Sequence, residues 1–125
     1  MTEKFFTKEH EWIVIDGTSS TIGITQYAQE QLGDVVHVDL PEIGKTVIAG
    51  DEMAVVESVK AASELFSPVS GKIGEVNNMV INNPSIINSS PEDEGWFIKM
   101  EITNKSELED LMDETSYMKL LKESE

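Results

Sequence analysis

Apolar and polar positions alternate on a two-residue beat through most of this chain, and glycine, proline and asparagine interrupt the beat at short intervals. Trp12-Ile13-Val14-Ile15 is β-branched and aromatic, Asp16-Gly17 signals a tight turn, and Thr21-Ile22-Gly23-Ile24 returns. That pattern predicts a β-hairpin over 11–24. Thr25 then stands as an N-cap for a short helix, Gln26 to Leu32, which Gly33 ends. From Asp34 to Leu40 the pattern predicts a strand with Val36, Val38 and Leu40 on one face and His37 and Asp39 on the other. Pro41 closes it by removing a ladder donor. Strands over 43–47 and 52–58 follow, separated by the Ala49-Gly50-Asp51 turn.

In the stretch 52–66, Met53, Val55 and Val56 belong to a rising strand and Leu65 and Phe66 to a falling one. Ser58-Val59-Lys60-Ala61 between them is small and polar, as a hairpin tip requires. Ser67-Pro68-Val69-Ser70-Gly71 is a further turn, and Lys72 to Val76 a further strand. Residues 77–94 read as loop, with Asn-Asn twice and Pro84 and Pro91 as punctuation. Trp96, Ile98, Met100 and Ile102 then share one face of a half-buried strand, with Lys99 and Glu101 opposite. The tail changes period. Ser106 with Glu109 forms a capping-box pattern, Leu108, Leu111 and Met112 make one stripe, and Tyr117, Leu120 and Leu121 another. A second short helix is expected to start near Asp113, and the helical tail to act as a lid on one side of the β-core.

Many short strands with helices at the margin predict a mainly-β sandwich. One domain over 1–125 is expected, with a β-core at about 5–103 and a helical segment at about 106–122. Neither a nucleotide-binding βαβ pattern nor a heptad repeat is present.

Composition narrows the chemistry. The 125 residues include no cysteine, and all nine basic residues are lysine. Thiolate nucleophiles, disulfides, cysteine-based metal sites and bidentate arginine clamps are therefore excluded. The net charge of −15 repels polyanions, so nucleic acid is a poor partner. It serves solubility or steers the chain toward basic docking surfaces. No apolar run is long enough to cross a membrane. The N-terminal residues do not read as a secretory signal or a transit peptide, so a cytoplasmic location is expected, or a mitochondrial one only if a leader was removed. A monomer is expected.

Intrinsic catalysis has little to draw on. His37 beside Asp39 reads as solvated strand surface. His10-Glu11 lacks the second histidine of a zinc-peptidase helix, so no metal site is expected. Lys72 follows Gly71 without a phosphate-loop pattern, and Ser58 and Ser63 stand outside any nucleophile elbow. Lys60 differs in its setting. At a hairpin tip among Ala61, Ala62 and Ser63, its amine is either an ordinary turn lysine or a nucleophile that a modifying enzyme can reach.

Val56-Glu57-Ser58-Val59-Lys60-Ala61-Ala62-Ser63 resembles the lipoylation motif of the glycine cleavage system H protein family. His10-Glu11-Trp12, Ile22-Gly23-Ile24-Thr25, Ala28-Gln29, Leu32-Gly33-Asp34-Val35-Val36 and Val38-Asp39-Leu40-Pro41 are similar, in order, to the family's N-terminal half. Ser67-Pro68-Val69-Ser70-Gly71 and Gly95-Trp96 are similar to its later landmarks, and the resemblance runs from Phe5 to Lys122. One departure stands out: the family commonly carries an aromatic residue where Glu92 follows Pro91 here.

The resemblance implies a lipoyl/biotinyl-type hammerhead β-sandwich with a short internal helix and C-terminal helices. It implies a non-catalytic carrier with lipoate in amide linkage to Lys60, which would change the net charge to 8 − 24 = −16. The implied partners are a pyridoxal-phosphate glycine decarboxylase, a tetrahydrofolate-dependent aminomethyltransferase, dihydrolipoyl dehydrogenase and a lipoate-attaching enzyme. In that cycle the aminomethyl group of glycine passes from the first to the second, and the third reoxidises the arm. The hard chemistry belongs to cofactors and partners. In the family the loaded arm folds back into a cleft with acidic groups near its amine, and by motif position Glu11 and Glu64 are the candidates. A lipoyl relay supplying 2-oxoacid dehydrogenase subunits would use the same Lys60, and an unmodified interaction domain would use none of it. Biotin sites place methionine on both sides of the lysine, whereas Val59 and Ala61 stand here.

Overall fold

The computed structural model describes residues 2–123. Its strands are β1 (Thr2–Phe6), β2 (Glu11–Asp16), β3 (Ser19–Ile24), β4 (Val35–Asp39), β5 (Thr46–Val47), β6 (Glu52–Ser58), β7 (Ala62–Phe66), β8 (Gly71–Val76) and β9 (Ile98–Ile102). Its helices are α1 (Gln26–Leu32), α2 (Asn78–Asn82), α3 (Ser85–Ser89) and α4 (Glu114–Glu123), with a 3-10 helix at Lys105–Asp110. All pairings are antiparallel. One sheet has the order β1-β2-β3-β9-β8-β5 and the other β4-β6-β7. This mainly-β sandwich agrees with the alternation in the sequence.

One apolar cluster joins the two sheets. Ile13, Ile15, Ile22, Ile98 and Met100 come from the larger sheet, and Val35, Val38, Ala54, Val56 and Leu65 from the smaller. The other face of β2 is also covered. Trp12 packs with Phe6 and with Tyr117 of α4, and the Phe6 and Tyr117 rings stack at 4.5 Å. The tail therefore closes one side of the β-core, as its apolar stripes predict. Each such buried aromatic contributes about 1.5–3 kcal/mol from apolar burial. Gly23 makes this packing possible, since a Cβ there would lie 2.8 Å from the Trp12 indole.

Several local expectations are corrected. Val36 does not share a face with Val38: a bulge between Val35 and His37 turns Val35 and Val38 inward and leaves Val36 55% exposed. An extra residue in one strand reverses the facing pattern beyond it. The predicted strand over 43–47 shortens to Thr46–Val47. The stretch read as loop, 77–94, contains α2 and α3, with Asn77 capping α2 through its side chain. Asparagine runs look like loop but also start helices. Trp96 precedes β9, and Phe97, unassigned by the alternation, is fully buried. Asn104, not Ser106, caps the first tail segment, which is 3-10; its side chain accepts the Ser106 N–H. Asp113 accepts the Ser116 N–H and so starts α4 where a second helix was expected. An additional strand, β1, begins ahead of the expected core, runs into it and pairs with β2.

Candidate functional site

Lys60 sits in the three-residue connection Val59-Lys60-Ala61 between β6 and β7, and it is exposed. The turn is held from inside and from below. Ser58 Oγ accepts the N–H groups of Lys60 and Ala61, each at 3.1 Å, and the Ser58 N–H donates to the Ala61 carbonyl at 2.8 Å. This is a hydroxyl-closed turn that holds the connecting backbone in place. The Val59 N–H donates to the Asp34 carbonyl at 3.0 Å, which ties the tip to the chain leaving α1. Thr25 caps α1 as its sequence position predicts, and Gly33 ends it at φ +79, a conformation that favours glycine. The Lys60 stem passes over that glycine: a Cβ on Gly33 would lie 3.0 Å from Lys60 Cε.

Beside this tip, a cavity of about 40 Å³ opens between α1, β2, β6 and β7. Ala28 and Leu32 of α1, Val56, and Ser63 with Leu65 supply its walls, and Glu9, Glu11 and Glu64 bring three carboxylates to it. The two acids singled out from sequence, Glu11 and Glu64, thus meet at one place. They differ in setting. Glu64 is exposed, whereas Glu11 is 3% exposed. One Glu11 oxygen accepts the Thr7 hydroxyl at 3.0 Å, and the other accepts the Phe66 N–H at 2.8 Å. Glu11 therefore links β2 of one sheet to β7 of the other. Burial pushes its carboxyl up to about 7, against the two hydrogen bonds that favour the charged form; Glu9 adds a smaller upward push.

The histidines take the roles of surface and scaffold. His37 lies 3.1 Å from Asp39, both well exposed. His10 adopts φ +67, and its Nδ1 lies 2.9 Å from the Tyr117 hydroxyl, which is also 2.7 Å from Thr25 Oγ1. Burial lowers the His10 pKa, with Glu9 opposing, and raises that of Tyr117. Among the described residues, no group of three or more His, Cys, Asp or Glu is arranged to hold a metal ion. Lys72 is exposed on β8. Glu92 accepts from Lys4 Nζ at 2.7 Å and from the Gln26 N–H at the start of α1 at 2.9 Å.

The glycine cleavage H-protein family model matches residues 4–124. The chain belongs to the glycine cleavage H-protein family. A glycine cleavage system H protein of Parvibaculum lavamentivorans is 56% identical over 117 residues, covering 94% of each chain. One of Thermotoga maritima is 55% identical over 117 residues, again covering 94% of each. The crystal structure of a glycine cleavage system H protein from Mycobacterium marinum superposes with a TM-score of 0.81 at 36% identity, over 92% of this chain and 93% of that one. Family membership and the shared architecture agree with the resemblance read from the motifs. No helix among the described residues is long and apolar enough to cross a membrane.

Sequence reasoning missed three residues of the site. Glu9 stands just outside the His10-Glu11-Trp12 motif with no signal of its own, the periodicity assigns Tyr117 only to an apolar stripe, and Asn88 falls in the stretch that reads as loop.

Proposed function

We propose that the protein is the lipoate carrier of a glycine cleavage system. Lipoate would be joined by an amide to Lys60 Nζ. The aminomethyl group of glycine would travel from a pyridoxal-phosphate decarboxylase to a tetrahydrofolate-dependent aminomethyltransferase, and dihydrolipoyl dehydrogenase would complete the cycle. The carrier itself performs no catalysis. The observation that carries this reading is an exposed lysine on a rigid tip beside an acid-lined cavity, in a chain of the H-protein family.

The residues fit the group. Lys60 offers a reachable amine, and exposed Ala61 and Ala62 leave room for the attaching enzyme. Bound lipoate supplies a disulfide that can accept, hold and release the cargo and undergo redox. The turn fixed by Ser58 and Asp34 tethers that group, which raises its effective concentration at each partner site. The cavity of about 40 Å³ has room for a water-sized polar group, so an ammonium head fits it. An ammonium beside Glu11 favours the carboxylate form and offsets the desolvation that otherwise keeps a proton there. Glu64 and Glu9 add negative charge at the same cavity.

Glycine–bicarbonate exchange with a purified glycine decarboxylase tests the reading. Exchange should depend on the lipoylated protein and disappear with Lys60→Arg. Full exchange supported by Lys60→Arg would overturn it.

A further inference from the structure

Asn88 lies on α3, and its side chain joins three elements. Its Nδ2 donates to Gln29 Oε1 at 3.0 Å and to the Gly33 carbonyl at 2.8 Å, and its Oδ1 accepts the Val35 N–H at 2.8 Å. Both amide hydrogens and the carbonyl are in use. Gly33 and Val35 flank Asp34, and the Asp34 carbonyl receives the N–H of Val59, the residue before Lys60, at 3.0 Å. The Lys60 stem crosses Gly33 itself.

That short segment has little else to define it. Gly33 leaves α1 at φ +79, and only the Val35–Ser58 pairing precedes the bulge in β4. No regular ladder therefore fixes the direction of the Asp34 carbonyl. The one side chain that grips the backbone on both sides of Asp34 is Asn88 among the described residues.

We propose that Asn88 is a positioning residue for Lys60. By clamping residues 33–35 it fixes the acceptor that holds Val59 and the surface on which the Lys60 stem rests. It thereby sets where the amine stands relative to the Glu11 cavity and how the attaching enzyme meets it. This rests on the reading of Lys60 as the attachment residue. A substitution at Asn88 should loosen the tip while leaving the β-core intact.

The test compares full-length wild type with Asn88→Ala and Asn88→Asp, the latter keeping the acceptor and the volume but losing both donors. Ile98→Val, in the core strand β9, serves as a destabilised control. Amide exchange of Val59 is measured on the unmodified proteins by NMR, and the kinetics of attachment with a lipoate ligase, lipoate and ATP. In both Asn88 variants Val59 exchange should accelerate about tenfold, the scale of one net hydrogen bond lost from a locally opening segment. The KM for the protein substrate should rise more than kcat falls, and Ile98→Val should show neither effect. Unchanged Val59 exchange and unchanged KM in both variants would overturn the proposal. If neither variant folds, wild type decides: Val35 and Val59 should be protected together, and free exchange at Val59 beside a protected Val35 would overturn it. Wild type that takes no lipoate while the exchange results hold would refute the carrier reading and leave the clamp standing.

Discussion

Replacing Glu11 by glutamine removes a buried titrating group while keeping its shape. Glu11 is 3% exposed, and the pKa of its carboxyl rises from 4.5 to about 7, chiefly through burial. Between these values the folded chain holds a proton that the unfolded chain has released. Stability from this group is therefore full below about pH 4.5 and is lost as pH rises through about 7. At about 1.4 kcal/mol per pH unit, the interval contributes about 3 kcal/mol. Glutamine stays neutral, its oxygen can accept the Phe66 N–H, and its amide can donate to Thr7 Oγ. The other carboxylates are common to both proteins and cancel in the difference. Glu11→Gln should match wild type near pH 4 and exceed it by about 3 kcal/mol at pH 8–9. Urea denaturation at four pH values reads this out, and with an m-value of about 2 kcal/mol per M the midpoint difference should grow by about 1.5 M. A difference that does not vary with pH, or one that favours wild type at high pH, would refute the burial argument.

Other substitutions probe the frame around the site. Gly23→Ala places a Cβ 2.8 Å from the Trp12 ring, and this overpacking should cost about 1–3 kcal/mol in denaturant titrations. An unshifted midpoint would show that Trp12 can move aside. Tyr117→Phe removes the hydroxyl between His10 and Thr25, leaves polar atoms of both underused, and should cost about 1–2 kcal/mol. A Tm lower by about 3–8 °C is expected by scanning calorimetry, and an unchanged Tm would mean that water or rearrangement replaces the bond.

The legible parts of the fold are those set by neighbours in sequence. Asp16-Gly17 marks the β2–β3 hairpin, Thr25 and Gly33 bound α1, and Lys60 sits on the expected tip. The tip is readable because a turn is written in the residues that form it. Val36 was misplaced because a bulge is decided by pairing with β6, which alternation along β4 cannot report. The helices α2 and α3 were hidden because the residues that cap them, asparagine and proline, are also loop residues. At the site, motif position led to Glu11 and Glu64, yet nothing local marks Glu11 as buried. Its burial arises where β2 meets β7 across the sandwich, through the Phe66 N–H. Asn88 is invisible for the same reason, since its three partners are 53 to 59 residues away.

The departure at Glu92 has a local explanation. Its carboxylate pairs with Lys4 and accepts the Gln26 N–H at the start of α1, so it forms a polar tie between β1 and α1. Both charges are about one-third exposed, and such a pair contributes at most about 1 kcal/mol.

The central claim is that Lys60 bears the arm. Intact-mass measurement of protein made in lipoate-competent cells tests it directly, with peptide mapping to place the modification. The account predicts a mass increase of one lipoyl amide, located at Lys60 and absent from Lys60→Arg. An unmodified wild-type chain from such cells, or a lipoyl group that persists in Lys60→Arg, would contradict it.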